Sequence, residues 1–506
     1  MGGRIICTDT VWTADAVDAR ARRGANALAA RGAEGQRVAL LIRNDIALIT
    51  ASEAALLAGA SPLPINWHFS ADEVGHILED SMAPVLIAHA DLWRRIAPDL
   101  PPDLVDRLDV IVAPTPPEIA VAYGIDTEAT RVPADLPAWD ALCGDTPPIE
   151  HPCGSAAFPL LYTAGTTGRP KGVLRLAAGT PAPVGYDAFF EPEMRTLVSA
   201  PVYHSAPNRF CFGTYTAGGT VVLPARFDAD DTLSLIERHR ITTAFMVPTM
   251  FHRLLRLPEA VRGAYDLSSL RQVVTAGAPC PPAMKEALID WWGPVIYEYY
   301  GSTETSALTL CSSEEALARP GTVGRAVPTA ELAIYDDTGR RCPAGVTGNI
   351  YGHRADIPDF TYLHHPEARA DIGRDGLVTI GDVGWLDEDG YLFLSDRKSD
   401  MIISGGTNIY PAQIEAALLE HPRVLDCAVF GIPDPEMGES VAAALQTGDG
   451  EPIDPTDLDN HLRARISTIM VPRRVIYHRA LPRDANGKIQ KRRLRAPFWE
   501  DAERQI

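Results

Sequence analysis

The chain has 506 residues, 46% of them apolar and 22% charged, which suffices for a large core and at least two domains. Its formal net charge of −20 excludes a nucleic-acid surface built on a basic stripe. The eight cysteines form no C-x-x-C pair and read as free thiols of a reducing cytosol.

The first twenty residues hold no apolar stretch long enough for a signal peptide, and the longest apolar stretch is broken by Glu53 and two prolines. The expectation is a cytoplasmic protein without integral membrane association. The opening alternates helix and strand. TADAVDARARRGANALAARG is a helix with Thr13 as its N-cap, RVALLIRN a strand, IALITASEAALLAG a helix and ASPLPIN a strand. ADEVGHILEDS is helical again, and PVLIAH and DVIVAP are strands. Such alternation implies parallel strands with helices packed on them. Residues 114–153 carry eight prolines and no periodic pattern, and form a connecting excursion. Alternation resumes through TVVLPARF, LSLIERHRI, TAFMVP, RQVVTAG and VIYEYYG. From about residue 321 the pattern turns β-rich, with turns at DDTGR and DEDGY. After SDRKSD a self-contained tail follows: PAQIEAALLEHP helical, VLDCAVFGIP a strand, TDLDNHLRARI helical, RRVIYHRA a strand. The domain boundary falls near Asp396–Asp400.

Of 46 basic residues, five are lysines (171, 285, 398, 488 and 491) and 41 are arginines. Where this chain uses lysine, a compact mobile ammonium is wanted instead of a planar fork. Lys285, on a helix, is read as an ordinary exception.

Four stretches carry chemistry. FPLLYTAGTTGRPKGV (158–173) has the glycines, hydroxyls and lysine of a phosphate nest, but Arg169 and Pro170 separate Gly168 from Lys171 and a strand follows. It therefore is not a P-loop, and it caps a hairpin without help from a helix dipole. YEYYGSTET (297–305) ends a strand in a glycine turn followed by Glu304, a carboxylate suited to Mg²⁺ beside a phosphate. In TIGDVGWLDEDGYLFLSDRKSDMIISGG, Asp382 lies in a tight turn where it could accept two ribose hydroxyls. LPRDANGKIQKRRLR presents Lys488 after a sharp Asn-Gly turn, and Lys491 to Arg495 read as a basic tail. Taken singly, each has a plain alternative: an ordinary turn, a solvated acid, an Asx-turn, a linker charge.

Together, in this order, these stretches resemble the adenylate-forming superfamily of acyl-CoA synthetases, firefly-type luciferases and peptide-synthetase adenylation domains. YTAGTTGRPKG resembles its phosphate loop, YGSTE its metal-and-nucleotide motif, GDVGWLDEDGYL with SDRKSDMIISGG its ribose and hinge segments, and NGKIQKRRL its C-terminal lysine motif. The resemblance covers nearly the whole chain. It implies an α/β fold: a large N-terminal domain of two α/β sheets plus a β-rich subdomain (1–396), hinged to a small α+β C-terminal domain (397–506). It implies an acyl-CoA synthetase that converts a carboxylic acid and Mg·ATP to acyl-AMP and pyrophosphate, then transfers the acyl group to coenzyme A.

By the same resemblance, Thr163, Ala164, Gly165, Thr166, Thr167, Gly168 and Lys171 cradle the β- and γ-phosphates. Gly277, Ala278 and Pro279 flank the adenine with Tyr300. Thr303 contacts the α-phosphate, Glu304 holds Mg²⁺, and Asp382 and Arg397 bind the ribose. Lys488 bridges the substrate carboxylate and the α-phosphate, where an ammonium stabilises charge developing in the transition state. Ser399 is the hinge, Gly405 and Gly406 line the thiol channel, and His204 gates the acyl pocket. Three positions depart from the family pattern: Ala164 stands where a hydroxyl is usual, Asn349 where Glu is usual, and Ser399 where Lys or Asp is commoner.

The gate region PVYHSAPNRFCFGTYTAGG contains no acid, so a cationic substrate would be stranded. Tyr203, His204, Phe210, Phe212 and Tyr299 imply a partly aromatic pocket for a hydrophobic acid: aliphatic, aromatic or bulky alicyclic. Coenzyme A is the expected acceptor. An acyl-AMP ligase loading a carrier protein is the rival enzyme, and a non-catalytic acyl-nucleotide sensor the rival of another class. A homodimer is compatible with the family.

Overall fold

The computed structural model describes residues 3–8, 10–153, 158–163, 169–176, 189–278, 280–397, 400–405, 407–448, 450–483 and 489–499. Among these, the N-terminal alternation builds a parallel sheet in the order Ser61–Pro64, Arg37–Leu41, Val85–His89, Asp109–Ala113. Its helices begin where the sequence places capping side chains. Thr13 accepts from the Ala16 amide at 3.3 Å and starts Ala14–Ala29, while Ser70 and Glu73 form a reciprocal capping box at the head of Ala71–Ser81.

A second sheet runs Ile296–Glu298, Gln272–Thr275, Thr243–Met246, Arg195–Val198, Thr220–Leu223, Arg4–Cys7, Thr10–Thr13, parallel except for its last pair. The strands Arg4–Cys7 and Thr10–Thr13 were not legible in the sequence. Arg4–Cys7 is specified by pairing with Thr220–Leu223 far along the chain, and no local pattern announces such a partner. The proline-rich excursion does more than connect. Its helix Trp139–Asp145 buries Trp139 completely, with Nε1 donating to Thr50 Oγ1 at 3.2 Å. Gly24 makes room for that ring, because a Cβ there would lie 2.5 Å from it.

The β-rich layer is antiparallel and contains Thr322–Ala326, Tyr391–Arg397, Asp382–Leu386 and Gly348–Arg354 in that order. Beyond it, the long hairpin Val424–Asp434/Gly438–Thr447 joins Ile402–Ser404, Thr407–Ile409 and Arg474–Tyr477 in a separate sheet. That sheet has its own core, including Ile402, Ile414, Leu418, Val429, Val441 and Leu445. The architecture is a large N-terminal α/β body with a small C-terminal α+β unit. The two meet where Arg256 donates to the Val424 carbonyl at 3.0 Å.

Two expectations are corrected. Residues 491–495 are not a loose basic tail: they open the helix Lys491–Trp499, Lys491 pairs with Glu415 at 2.8 Å, and Leu494 is buried. Lys285 is not an ordinary helix lysine. It is 2% exposed, and its ammonium donates to Glu298 at 2.7 Å and to the Thr322 carbonyl at 3.0 Å. Burial opposes its charge, but Glu298 outweighs burial and holds its pKa above the ordinary lysine value. Glu298 itself is pushed up by burial and pulled back by Lys285.

Breaking this pair from one side leaves a buried uncompensated charge. Lys285→Met should therefore destabilise the chain by about 3–5 kcal/mol in denaturant unfolding, and adding Glu298→Leu should recover most of the loss. Glu53 supplies a pH-dependent contribution. Burial, with Asp18 nearby, raises its carboxyl to about 7. The folded state thus keeps a proton that the unfolded chain releases near its ordinary value. Stability from this group is fully present below that ordinary value and is lost as pH rises through about 7. Glu53→Gln should flatten the fall in Tm between about pH 4.5 and about pH 7.

Candidate active site

The phosphate-loop segment closes a hairpin: Leu161–Thr163 and Lys171–Arg175 are antiparallel, with Thr163 opposite Lys171. No helix follows, so any anion in the loop relies on backbone amides, hydroxyls and the lysine. On its other edge Lys171–Arg175 pairs with Phe360–Tyr362. The loop residues Ala164, Gly165, Thr166, Thr167 and Gly168, together with Pro279, Ser399, Gly406 and Lys488, lie outside the described residues. Arg483 and Ile489 bridge antiparallel on either side of residues 484–488.

This three-stranded patch converges on Glu304. The turn holding Glu304 is tied by Ser302 Oγ, which accepts from the amides of Glu304 and Thr305, both at 3.1 Å. The Glu304 side chain is 8% exposed. Its Oε1 accepts from Thr163 Oγ1 at 3.3 Å and from the Tyr362 hydroxyl at 3.1 Å. Lys171 Nζ sits 5.5 Å from the centre of the Tyr362 ring. Burial, with the Glu304 charge, raises the Tyr362 phenol well above its ordinary value, so it remains a donor.

Thr303 faces the other way. Its hydroxyl donates to Ser205 Oγ at 3.2 Å, which places the YGSTE turn beside the PVYHS segment. Ser205 opens the helix Ser205–Thr216, and His204 precedes it in extended backbone. The gate segment is held from the first sheet: Asn44 donates to the Ala200 carbonyl at 2.9 Å and accepts from the Val202 amide at 2.8 Å. His204 Nε2 is buried with no hydrogen-bond partner among the described residues. Burial, then the proximity of His68, lowers its pKa to about 3, so the imidazole is neutral at physiological pH.

The Tyr300 hydroxyl donates to Asp382 Oδ2 at 2.8 Å, and strand register sets Asp382 opposite Arg397. Gly277, with φ +86°, and half-buried Ala278 follow the strand Gln272–Thr275 at its carboxyl end, where open α/β sheets bind ligands. Gly405 lies between Ile402–Ser404 and Thr407–Ile409, and its amide donates to Met437.

The aromatic residues divide by face. Val198, Phe245, Val274 and Tyr297 form one row across four parallel strands. Phe245 lies 5.3 Å from Phe210 on the helix Ser205–Thr216, so this row faces that helix. Phe210, 3% exposed, sits behind any wall, among Phe189, Phe190 and Phe245. Phe212 is half-buried on the same helix, and Tyr299 is half-buried just past its strand. Tyr203 packs instead into the core of the first sheet, with its ring against His204 at 4.2 Å.

Sequence reading missed Tyr362, Arg175, Asn44 and Ser205. Tyr362 sits in an unpatterned DFTYLHH segment. Arg175 offered one signal, a charge set between the leucines of the GVLRL run. Asn349, where Glu is usual, donates to the Tyr335 carbonyl and to Asp337, an acid that a carboxylate there would oppose.

The donor set fits a magnesium ion. Among the described residues the hydroxyl bonds fall on Oε1 of Glu304, leaving a hard carboxylate oxygen beside the phosphate hairpin, and Mg²⁺ binds through one or two carboxylates plus phosphate oxygens.

Comparison with known proteins identifies the family. Residues 3–357 match the family model described as AMP-binding enzyme, and residues 413–488 match its C-terminal domain. The chain is 35% identical to a feruloyl-CoA synthase of Amycolatopsis over 97% of this chain and 94% of that one. It is 31% identical to a fatty acid–acyl-carrier-protein ligase of Streptomyces coeruleorubidus, over 99% and 94%. Among solved structures it superposes on o-succinylbenzoate CoA synthetase from Bacillus subtilis in complex with its acyl-adenylate intermediate. The TM-score is 0.79 and the identity 27%, over 99% of this chain and 96% of that one. That synthetase has also been solved with ATP and a magnesium ion. The chain belongs to the AMP-binding enzyme family and is an AMP-forming acid–thiol ligase that uses ATP, magnesium and coenzyme A.

Proposed function

We propose that the chain activates a hydrophobic carboxylic acid, whether aliphatic, aromatic or bulky alicyclic, as its acyl-adenylate and passes it to coenzyme A in the cytoplasm. The observation that carries this reading is the convergence of Thr163, Tyr362 and Glu304 next to Lys171, with Thr303 hydrogen-bonded to the first residue of the gate helix. Phosphate handling and acyl handling are thereby one hydrogen bond apart.

In this reading Lys171 and the loop hold the β- and γ-phosphates, Thr303 the α-phosphate, and Asp382, Arg397 and Tyr300 the nucleoside. Bound at Glu304, magnesium would neutralise phosphate charge. His204, neutral and with Nε2 unpaired, can donate to a substrate carboxylate oxygen without adding a cation. Lys488 offsets the repulsion between carboxylate and α-phosphate during attack. The domains are 1–396 and 397–506, with Ser399 as the hinge that withdraws Lys488 and brings Gly405–Gly406 to the thiol.

The substrate class is read from half-buried Phe212 and Tyr299 and from Arg209, which lies 4.7 Å from the Phe190 ring. A cation beside the acyl helix disfavours an ammonium-bearing acid. Among the described residues no helix is long and apolar enough to cross a membrane. Carrier-protein loading is the second reading, supported by the Streptomyces relative. A homodimer is the proposed assembly.

Pyrophosphate release over a panel of carboxylic acids, with coenzyme A and then with a carrier protein as acceptor, tests both substrate and acceptor. Loaded carrier without acyl-CoA overturns the choice of acceptor, and intact nucleotide binding without pyrophosphate exchange favours a sensor. Lys488→Ala should slow adenylation roughly 10²–10³-fold while sparing thioester formation from supplied acyl-AMP; equal loss of both half-reactions sinks the hinge assignment. Tyr362→Phe should raise the KM for Mg·ATP several-fold, read in steady-state kinetics. His204→Phe should lower kcat/KM for the acid yet leave the shape of the pH–rate profile from about pH 5.5 to 9 unchanged, because an imidazole titrating near 3 is already neutral there.

A further inference from the structure

Arg175 ends the strand that leads out of the phosphate loop, and its guanidinium is committed to main-chain oxygens. Nη1 donates to the Glu304 carbonyl at 2.9 Å and to the Pro358 carbonyl at 3.0 Å, and Nη2 donates to the Thr303 carbonyl at 2.5 Å. The Phe360 ring, opposite it in strand register, lies 5.8 Å away. Among the described residues no carboxylate forms an ion pair with Arg175. A half-buried charge set on three neutral acceptors is an unusual commitment, since one aliphatic residue would fill the same space without the desolvation cost. What the charge secures is the orientation of two consecutive peptides, those carrying Thr303 and Glu304. A planar fork can span carbonyls of two segments at once, and a lysine ammonium cannot reproduce that geometry. Behind the motif, a void lined by Arg175, Glu304, His353, Arg354 and Asp359 has room for about one water, so the turn could rotate if it were not tied.

We propose that Arg175 is a positioning residue: by holding the carbonyls of Thr303, Glu304 and Pro358 it aims the Glu304 carboxylate at the metal and so sets the affinity for magnesium-bound nucleotide. This rests on the reading of Glu304 as the metal ligand. It also links the two halves of the site mechanically. Lys171 and Arg175 begin and end one strand, so the exit of the phosphate loop and the direction of the carboxylate are fixed by the same five residues.

The test is calorimetric titration of the full-length chain with α,β-methylene-ATP, with and without magnesium, and with adenosine as a control. Arg175→Met should reduce the magnesium-dependent gain in affinity roughly tenfold, as expected for loss of charge-assisted hydrogen bonds, with adenosine affinity unchanged within about twofold. Arg175→Lys, which keeps the charge but not the fork, should give an intermediate loss and carries the test if the methionine variant does not fold. Glu304→Gln separates the two readings. If it leaves the magnesium gain intact, the metal assignment fails. If it abolishes the gain while both Arg175 variants keep it, the inference about Arg175 fails alone.

Discussion

A carboxylate that is to hold a metal must be dry enough to bind it firmly, yet it cannot surrender its charge to a neighbouring cation. With Glu304 read as the proposed metal ligand, both demands are met through hydroxyls. Thr163 and Tyr362 donate neutral hydrogen bonds to one oxygen, while the two nearby cations are engaged elsewhere: Lys171 over the face of Tyr362, Arg175 on peptide carbonyls. The surrounding architecture follows from that condition. The hairpin, the strand Phe360–Tyr362 and the glycine turn each deliver one part of a cage with no full ion pair among its described members.

The same economy governs the link to the acyl side. Ser205 is both the first residue of the gate helix and the acceptor for Thr303, and Asn44 holds the segment before it by both sides of its amide. An asparagine just past an inner strand of one sheet thus sets the path of a loop leaving another. The face division in the second sheet is equally strict. The row containing Phe245 meets the gate helix, and the next row carries Glu298 to Lys285 on the opposite side.

Much of this was legible in the sequence where local physics decides. The helices capped by Thr13 and Ser70 and the strands of the first sheet follow from periodicity and end signals, and the phosphate hairpin follows from its broken P-loop spacing. What was not legible depends on distant partners. Arg4–Cys7 has no meaning until Thr220–Leu223 lies beside it. Tyr362 and Arg175 matter because two strands far apart in the chain are neighbours, and neither residue type announces that. Lys285 was misjudged for the same reason: on a helix a lysine looks solvated until Glu298 is brought against it.

The burial of Lys285 bears on a hazard of this chemistry. An acyl-adenylate is an acylating agent, and the amines of the protein that makes it are its nearest unintended targets. Of five lysine side chains, Lys285 is enclosed in its ion pair, and the others, at 171, 398, 488 and 491, all lie in the phosphate, hinge and C-terminal motifs. A surface whose positive charge is otherwise arginine offers escaping intermediate few places to react. With the proposed roles of those segments, self-modification of this protein would therefore be concentrated on its own working parts.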